Sequence, residues 1–243
     1  ERTIYSSSSR SSSRSSSGSS SGGQIEQGSA AAARQAGPSR RDAVRRGGAM
    51  TVADLQKTFA RCGEEGRAAF IPYVTAGYPS KGATVAQMLA MQEGGADIIE
   101  LGMPFSDPLA DGPTIQKSSF IALEGGVRLE DCLTFTKEAR KQGLTVPVIL
   151  MGYYNPFAQY GEERLVEACA EATISGFIVV DLSGPEAVRF AKVCASKDLA
   201  YVPLVAPTST DKRLSEVAQL ASGYVYCVSV TGITGARDEL PED

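Results

Sequence analysis

Histidine is absent from the 243 residues of this chain, and so is tryptophan. Without histidine, acid/base chemistry near neutral pH must use Asp, Glu, Tyr, Lys, Cys or water. A His-ligated metal site is excluded, and we expect no metal. No apolar run approaches the roughly 18 residues of a membrane-spanning helix, and no secretory leader opens the chain. We therefore expect neither membrane insertion nor export.

Paired cysteines are lacking as well. No Cys-x-x-Cys motif occurs, which indicates reduced, buried thiols in a cytoplasmic protein rather than a disulfide or zinc framework. The five cysteines are Cys62, Cys132, Cys169, Cys194 and Cys227.

Large apolar residues are scarce in residues 1–49, which are rich in serine and arginine. Eight arginines against three acidic residues give this segment a net charge of +5, whereas 16 basic and 25 acidic residues give residues 50–243 a net charge of −9. The composition of the first segment predicts a disordered extension. Alternatives are an organellar transit peptide, or an Arg/Ser tract that contacts RNA or is phosphorylated. The acidic charge of the second segment argues against nucleic-acid binding there.

From Met50 onward, apolar runs alternate with amphipathic stretches, as in parallel α/β proteins. We predict strands at 69–75, 97–101, 146–153, 176–182, 200–206 and 224–230. Predicted helices lie at 51–62, 81–94, 114–124, 129–142, 162–173, 185–197 and 210–221. A (β/α)8 TIM barrel over residues 50–243 fits best, with function at the carboxyl ends of the strands. A doubly wound sheet is the alternative, but the first crossover carries no G-x-G-x-x-G motif.

Six predicted strands fall short of the eight that a closed barrel requires. Only thirteen residues follow Val230, too few for another β/α unit. We therefore expect the chain to be truncated after about six of the eight units, and to bind substrate poorly on its own.

The predicted strand ends carry polar residues but no lysine, which argues against a Schiff-base aldolase. Glu100 ends a buried strand, where desolvation disfavours the charged form and makes a carboxylate a usable acid or base; pairing to an amide or arginine is the structural alternative. The loop that follows holds Asp107 and Asp111. Spacing alone leaves the choice between them even, since either aspartate could also cap a helix or turn. A Gly-rich segment, Gly232–Gly235, could present amides to a phosphate.

Three segments resemble signatures of the tryptophan synthase alpha subunit. They are Phe70–Pro79, Glu100–Gln116 and Gly232–Ala236. Three further segments resemble the fungal type, in which alpha and beta activities share one polypeptide: Met151–Pro156, Tyr160–Arg164 and Leu204–Pro207.

The resemblance implies a TIM-barrel lyase of tryptophan biosynthesis, which cleaves indole-3-glycerol phosphate to indole and glyceraldehyde 3-phosphate by a retro-aldol reaction. It implies that Glu100 and Asp111 are the catalytic carboxylates, with Glu100 transferring protons and Asp111 facing the indole nitrogen. Tyr153 and Tyr226 match tyrosines near the substrate, and Thr234 and Gly235 match the phosphate-binding loop that closes the site. No cofactor is implied for this reaction, and pyridoxal phosphate is expected only on a beta domain or subunit.

Two alternatives remain. One is a non-catalytic barrel fragment or pseudoenzyme that binds a beta partner. The other is a different phosphosugar barrel, such as an isomerase of the same pathway. Two segments differ from the residues that are usual in the family, and both lie on the side where we expect partner contacts. They are Asp181–Glu186 and Ala172–Ser175.

Overall fold

The computed structural model describes residues 4–5 and 50–228, and it shows an alternating α/β chain. The strands are β1 (Ile4–Tyr5), β2 (Tyr73–Thr75), β3 (Ile99–Gly102), β4 (Val148–Gly152), β5 (Gly176–Val179), β6 (Ala200–Val202), β7 (Leu204–Val205) and β8 (Val225–Cys227). The helices are α1 (Val52–Glu64), α2 (Ala83–Glu93), α3 (Pro113–Glu124), α4 (Leu129–Lys141), α5 (Tyr154–Tyr160), α6 (Glu162–Glu171), α7 (Gly184–Ala195) and α8 (Asp211–Leu220).

The main sheet is parallel, and its strands lie side by side in chain order from β2 to β6. A second sheet pairs β7 with β8 in parallel and β8 with β1 in antiparallel orientation. A doubly wound sheet reverses its strand order at a switch point, and no such reversal occurs among β2 to β6. The order is that of a barrel wall.

Side chains of successive strand residues alternate between two apolar clusters. One cluster lies between the sheet and the helices and includes Ile99, Leu101 and Leu150. The other lies on the opposite, inner face of the strands and includes Ile98 and Ile149. Because both faces of the strands are buried, the strands lack the apolar/polar alternation of a sheet with one face in water.

Two predicted elements are corrected by the structure. The strand expected over 200–206 is divided at Pro203, which has no N–H to continue the ladder. Helix α5 was not predicted, since the predicted strand ends at residue 153 and the next predicted helix begins at residue 162. Asp181 Oδ1 accepts a hydrogen bond from the Tyr154 backbone N–H at 2.7 Å, which satisfies an otherwise unpaired donor at the first turn of α5.

The predicted disordered extension lies outside the described residues, apart from Ile4 and Tyr5 in β1. The predicted strand 224–230 is described as far as residue 228. Within the described residues, no helix is both long enough and apolar enough to cross a membrane.

The amino end of β3 carries a buried ion pair. The Asp97 side chain is 3% exposed and accepts hydrogen bonds from both Arg67 guanidinium NH2 groups, at 2.6 and 2.9 Å, and from Arg61. The Phe70 backbone N–H also donates to Asp97, at 2.9 Å. This end of a barrel serves stability rather than catalysis.

Candidate active site

Glu100 lies in β3 and is almost completely buried, with 1% of its surface exposed. Its neighbours Ile99 and Leu101 pack toward the helices, whereas Ile98 packs into the inner cluster. Since strand side chains alternate, Glu100 points to the same inner face as Ile98. A buried carboxylate therefore lies in the barrel wall, within β3 rather than at the end of the strand, where the sequence analysis placed it.

The loop after β3 is shaped by hydrogen bonds that hold Asp111. The Asp111 backbone N–H donates to the Pro108 carbonyl at 3.0 Å, which closes a tight turn. The Tyr153 hydroxyl donates to Asp111 Oδ2 at 3.0 Å and accepts a hydrogen bond from the Ala110 backbone N–H at 2.9 Å. Helix α3 is preceded by Gly112 as its N-cap residue, so Asp111 is not the cap.

Tyr153 remains a hydrogen-bond donor in this environment. Burial, followed by the nearby Asp111 carboxylate, raises the pKa of the Tyr153 hydroxyl well above its ordinary value. The Tyr153 ring is also stacked on Phe105, with ring centroids 5.0 Å apart. The loop and the end of β4 are thus joined by one aromatic stack and two hydrogen bonds.

Asp107 has a different setting from Asp111. Its carboxylate accepts a hydrogen bond from the hydroxyl of the adjacent Ser106, at 2.5 Å. Asp111 lines a pocket at this end of the strands, and Asp107 is not among the residues that line it.

The pocket holds about 270 Å³ of empty space, including part that is open to solvent. Most of the lining residues are apolar by type, but polar atoms form at least half of the surface that the pocket exposes. The lining residues are Tyr73, Met103, Phe105, Pro108, Asp111, Ser119, Met151, Gly152, Tyr153 and Val180.

The remaining predicted site residues lie in different places. Tyr226 is 9% exposed and packs in the inner cluster with Met151, a residue of the pocket wall. Thr234 and Gly235 lie outside the described residues. Tyr73 lines the pocket but was not singled out in the sequence, because it lies inside a strand and its inward direction depends on the register of that strand.

Metal-binding potential is low in this part of the chain. Among residues 4–5 and 50–228, no group of three or more Cys, Asp or Glu side chains is arranged to hold a metal ion. The pocket lining supplies one carboxylate, Asp111, together with tyrosyl hydroxyls and apolar side chains; buried Glu100, the second predicted carboxylate, lies in β3 and is not among the lining residues. Such a set can bind a flat apolar ring and move protons.

Comparison with known proteins gives one consistent result. The family model "Tryptophan synthase alpha chain" matches residues 59–243. The "Tryptophan synthase" of Saccharomyces cerevisiae is 48% identical over 189 residues, which are 78% of this chain and 27% of the yeast protein. The "Tryptophan synthase alpha chain" of Roseiflexus sp. is 47% identical over 186 residues, covering 76% of this chain and 71% of the relative. The chain thus spans about a quarter of the yeast protein.

Solved structures similar to this chain belong to the same family as its relatives in sequence. Tryptophan synthase subunit alpha from Legionella pneumophila superimposes with a TM-score of 0.71 at 38% identity, covering 74% of this chain and 68% of that one. A Mycobacterium tuberculosis tryptophan synthase chain also gives a TM-score of 0.71, at 39% identity over 76% of this chain and 71% of its own length. These similarities confirm the predicted TIM-barrel class.

Proposed function

Because the chain belongs to the tryptophan synthase alpha chain family, we propose that it cleaves indole-3-glycerol phosphate to indole and glyceraldehyde 3-phosphate. The observation that carries the proposal is the position of Asp111, held at the pocket by the Tyr153 hydroxyl at 3.0 Å, in the loop that follows the strand containing buried Glu100. Two carboxylates in different surroundings can divide the work of a retro-aldol cleavage, one transferring protons and the other stabilising charge.

The reaction breaks the bond between indole C3 and the first glycerol carbon. The hydroxyl on that carbon loses its proton and becomes the aldehyde of glyceraldehyde 3-phosphate, while C3 gains a proton and becomes the C–H of indole. We assign both proton transfers to Glu100. Asp111 would accept a hydrogen bond from the indole N–H, and its negative charge would stabilise the positive charge that develops on the ring.

The apolar side chains that line the pocket support the same substrate. Met103, Phe105, Met151 and Val180 line the pocket and offer a surface for an indole ring. No cofactor takes part in this scheme. We propose that Thr234 and Gly235 bind the phosphate, and that pyridoxal phosphate belongs to a beta domain or subunit that acts as the partner of this chain.

We place the contact with this partner on the same loop. Leu109, two residues from Asp111, is 86% exposed, the largest exposure among the large apolar side chains in the described part of the chain. An apolar side chain presented by the active-site loop suits a protein interface close to the pocket.

The two aspartates of the loop provide a matched test of the proposed reaction. Asp111→Asn keeps the size of the side chain and removes its charge, so we expect the rate of cleavage to fall by about 10²-fold or more. Asp107→Asn, the control, should change the rate by less than about threefold, because Asp107 does not line the pocket. Indole and glyceraldehyde 3-phosphate should be measured together and should appear in equal amounts. Equal losses in the two variants, or unequal products, would contradict the proposal.

A further inference from the structure

Tyr73 reaches into the pocket across the neighbouring strand. It lies opposite Glu100 in the pairing of β2 with β3, and both residues lie in the barrel wall. A Cβ atom at Gly102 would stand 2.0 Å from Tyr73 Oη and 2.4 Å from Cζ. The absence of a side chain at Gly102 therefore makes room for the tyrosyl hydroxyl, two residues beyond Glu100 on the same strand face.

A buried chain of hydroxyl groups holds Tyr73 Oη in place. The Thr75 hydroxyl lies 3.3 Å from Tyr73 Oη, and the Ser118 hydroxyl lies 2.7 Å from Thr75 Oγ1. Ser118 is in turn 2.9 Å from the Ile115 carbonyl oxygen of helix α3. Thr75 and Ser118 are 4% and 7% exposed, so water does not compete freely for these contacts.

The Tyr73 hydroxyl is one of several polar groups at the pocket. The Tyr153 hydroxyl donates a hydrogen bond to Asp111, and the Tyr73 hydroxyl lies within hydrogen-bonding distance of Thr75 on its own strand. A packed apolar core would favour phenylalanine here, because a buried hydroxyl is costly unless it is hydrogen-bonded. An alcohol group of a substrate can both donate and accept a hydrogen bond. It can therefore bind Tyr73 Oη whether Oη donates its own proton to the substrate or accepts one from it.

We propose that Tyr73 is a specificity-determining residue, whose hydroxyl recognises a hydroxyl group on the glycerol chain of the substrate, and that Thr75 and Ser118 are its positioning residues. The identity of the substrate rests on the proposed function. Tyr73 is placed for this role because it stands beside Glu100, where the glycerol hydroxyl must lie in order to lose its proton.

The test compares two ligands on the full 243-residue chain by calorimetric titration. One is indole-3-glycerol phosphate, measured on a time scale short relative to turnover, and the other is its analogue with both glycerol hydroxyls replaced by hydrogen. We expect Tyr73→Phe to weaken binding of the glycerol compound by about tenfold and to leave binding of the analogue unchanged. The proposal would be overturned if Tyr73→Phe kept the full wild-type preference for the glycerol compound over the analogue, or if it weakened the binding of both ligands equally.

The positioning residues are tested by the same preference between the two ligands. Thr75→Val and Ser118→Ala should each reduce the preference for the glycerol compound over the analogue. Thr75→Ser, which keeps the hydroxyl, should retain the wild-type preference. In the Tyr73→Phe background, Ser118→Ala should have no further effect on the preference, since the hydroxyl that it orients is gone. A further loss in that background would show that Ser118 does not act through Tyr73.

The outcomes separate this proposal from the proposed function. A preference that depends on Tyr73, in a chain that binds but never cleaves the glycerol compound, would support the recognition role and contradict the proposed reaction. Cleavage with a preference that does not depend on Tyr73 would contradict the recognition role alone.

Discussion

Among single residues, Asp97 is the clearest case of a carboxylate that stabilises the fold. The Arg67 guanidinium and the Phe70 N–H lower the pKa of Asp97 from 3.8 to about 2, although burial opposes the shift. A lowered pKa means that the folded state binds the proton less readily than the unfolded chain does. The stabilisation is therefore complete above about pH 4 and is lost as the pH falls toward 2.

Asp97→Asn should reduce the free energy of unfolding at pH 7 by about 2 kcal/mol, the equivalent of the lowered pKa. Urea unfolding of the wild type and the variant at pH 7 and pH 3 measures the effect. The difference between their free energies of unfolding should be smaller at pH 3, because part of the stabilisation by ionised Asp97 is already lost from the wild type at that pH. Asp107→Asn, at an aspartate outside this cluster, is the control. A difference of the same size at both pH values would contradict this account.

The roles of single residues were only partly predictable from the sequence. Glu100 could be placed because a carboxylate within an apolar strand is visible in the sequence. Spacing left the choice between Asp107 and Asp111 even, and only the family resemblance favoured Asp111, because the hydrogen bond that distinguishes them comes from Tyr153, 42 residues away in the chain. Tyr73 escaped notice because the space it occupies depends on Gly102 of the neighbouring strand.

At the scale of the elements, the approach of neighbouring strands depends on particular glycines. A Cβ atom at Gly176 in β5 would lie 2.4 Å from the Ala200 backbone oxygen in β6. Backbone atoms in a paired strand cannot move aside cheaply, so the two strands would have to separate.

Gly176→Ala should therefore lower the free energy of unfolding by about 2 kcal/mol or more. Gly82→Ala is the matched control, because a Cβ atom at Gly82 would meet nothing within 4 Å and the residue has an αR backbone conformation. We expect the control to change the free energy of unfolding by less than about 1 kcal/mol, because the smaller entropy of the unfolded chain opposes the lower preference for alanine at the N-cap of α2. Thermal unfolding followed by circular dichroism compares the two variants, and similar losses in both would contradict the close approach of β5 and β6.

Element types were largely predictable, and their ends were not. The predicted strands and helices occur because apolar runs and amphipathic stretches differ in period. Helix α5 was missed because contacts from distant elements stabilise it. Asp181 bonds its first turn, and Arg189 of α7 donates to the Tyr154 hydroxyl at 2.7 Å and to Glu162 at 3.0 Å. None of these contacts is visible in the local sequence.

At the scale of the whole molecule, strand order explains why the site lies where it does. Parallel strands in chain order bring their carboxyl ends to one edge, where the loop after β3 meets the end of β4. The barrel class was predictable from the alternation of strands and helices. The contact between loop and strand was not, because it depends on how the two ends approach in space.

The most direct test of the central claim is a single-turnover assay, with the chain in excess over indole-3-glycerol phosphate. We expect the wild type to release indole and Glu100→Gln to lower the rate by about 10²-fold or more, while binding of a tryptophan synthase beta chain is unchanged. Gly82→Ala should behave as the wild type. Indole release that is unaffected by Glu100→Gln, or absent from the wild type, would contradict the claim that this site is a cleavage site.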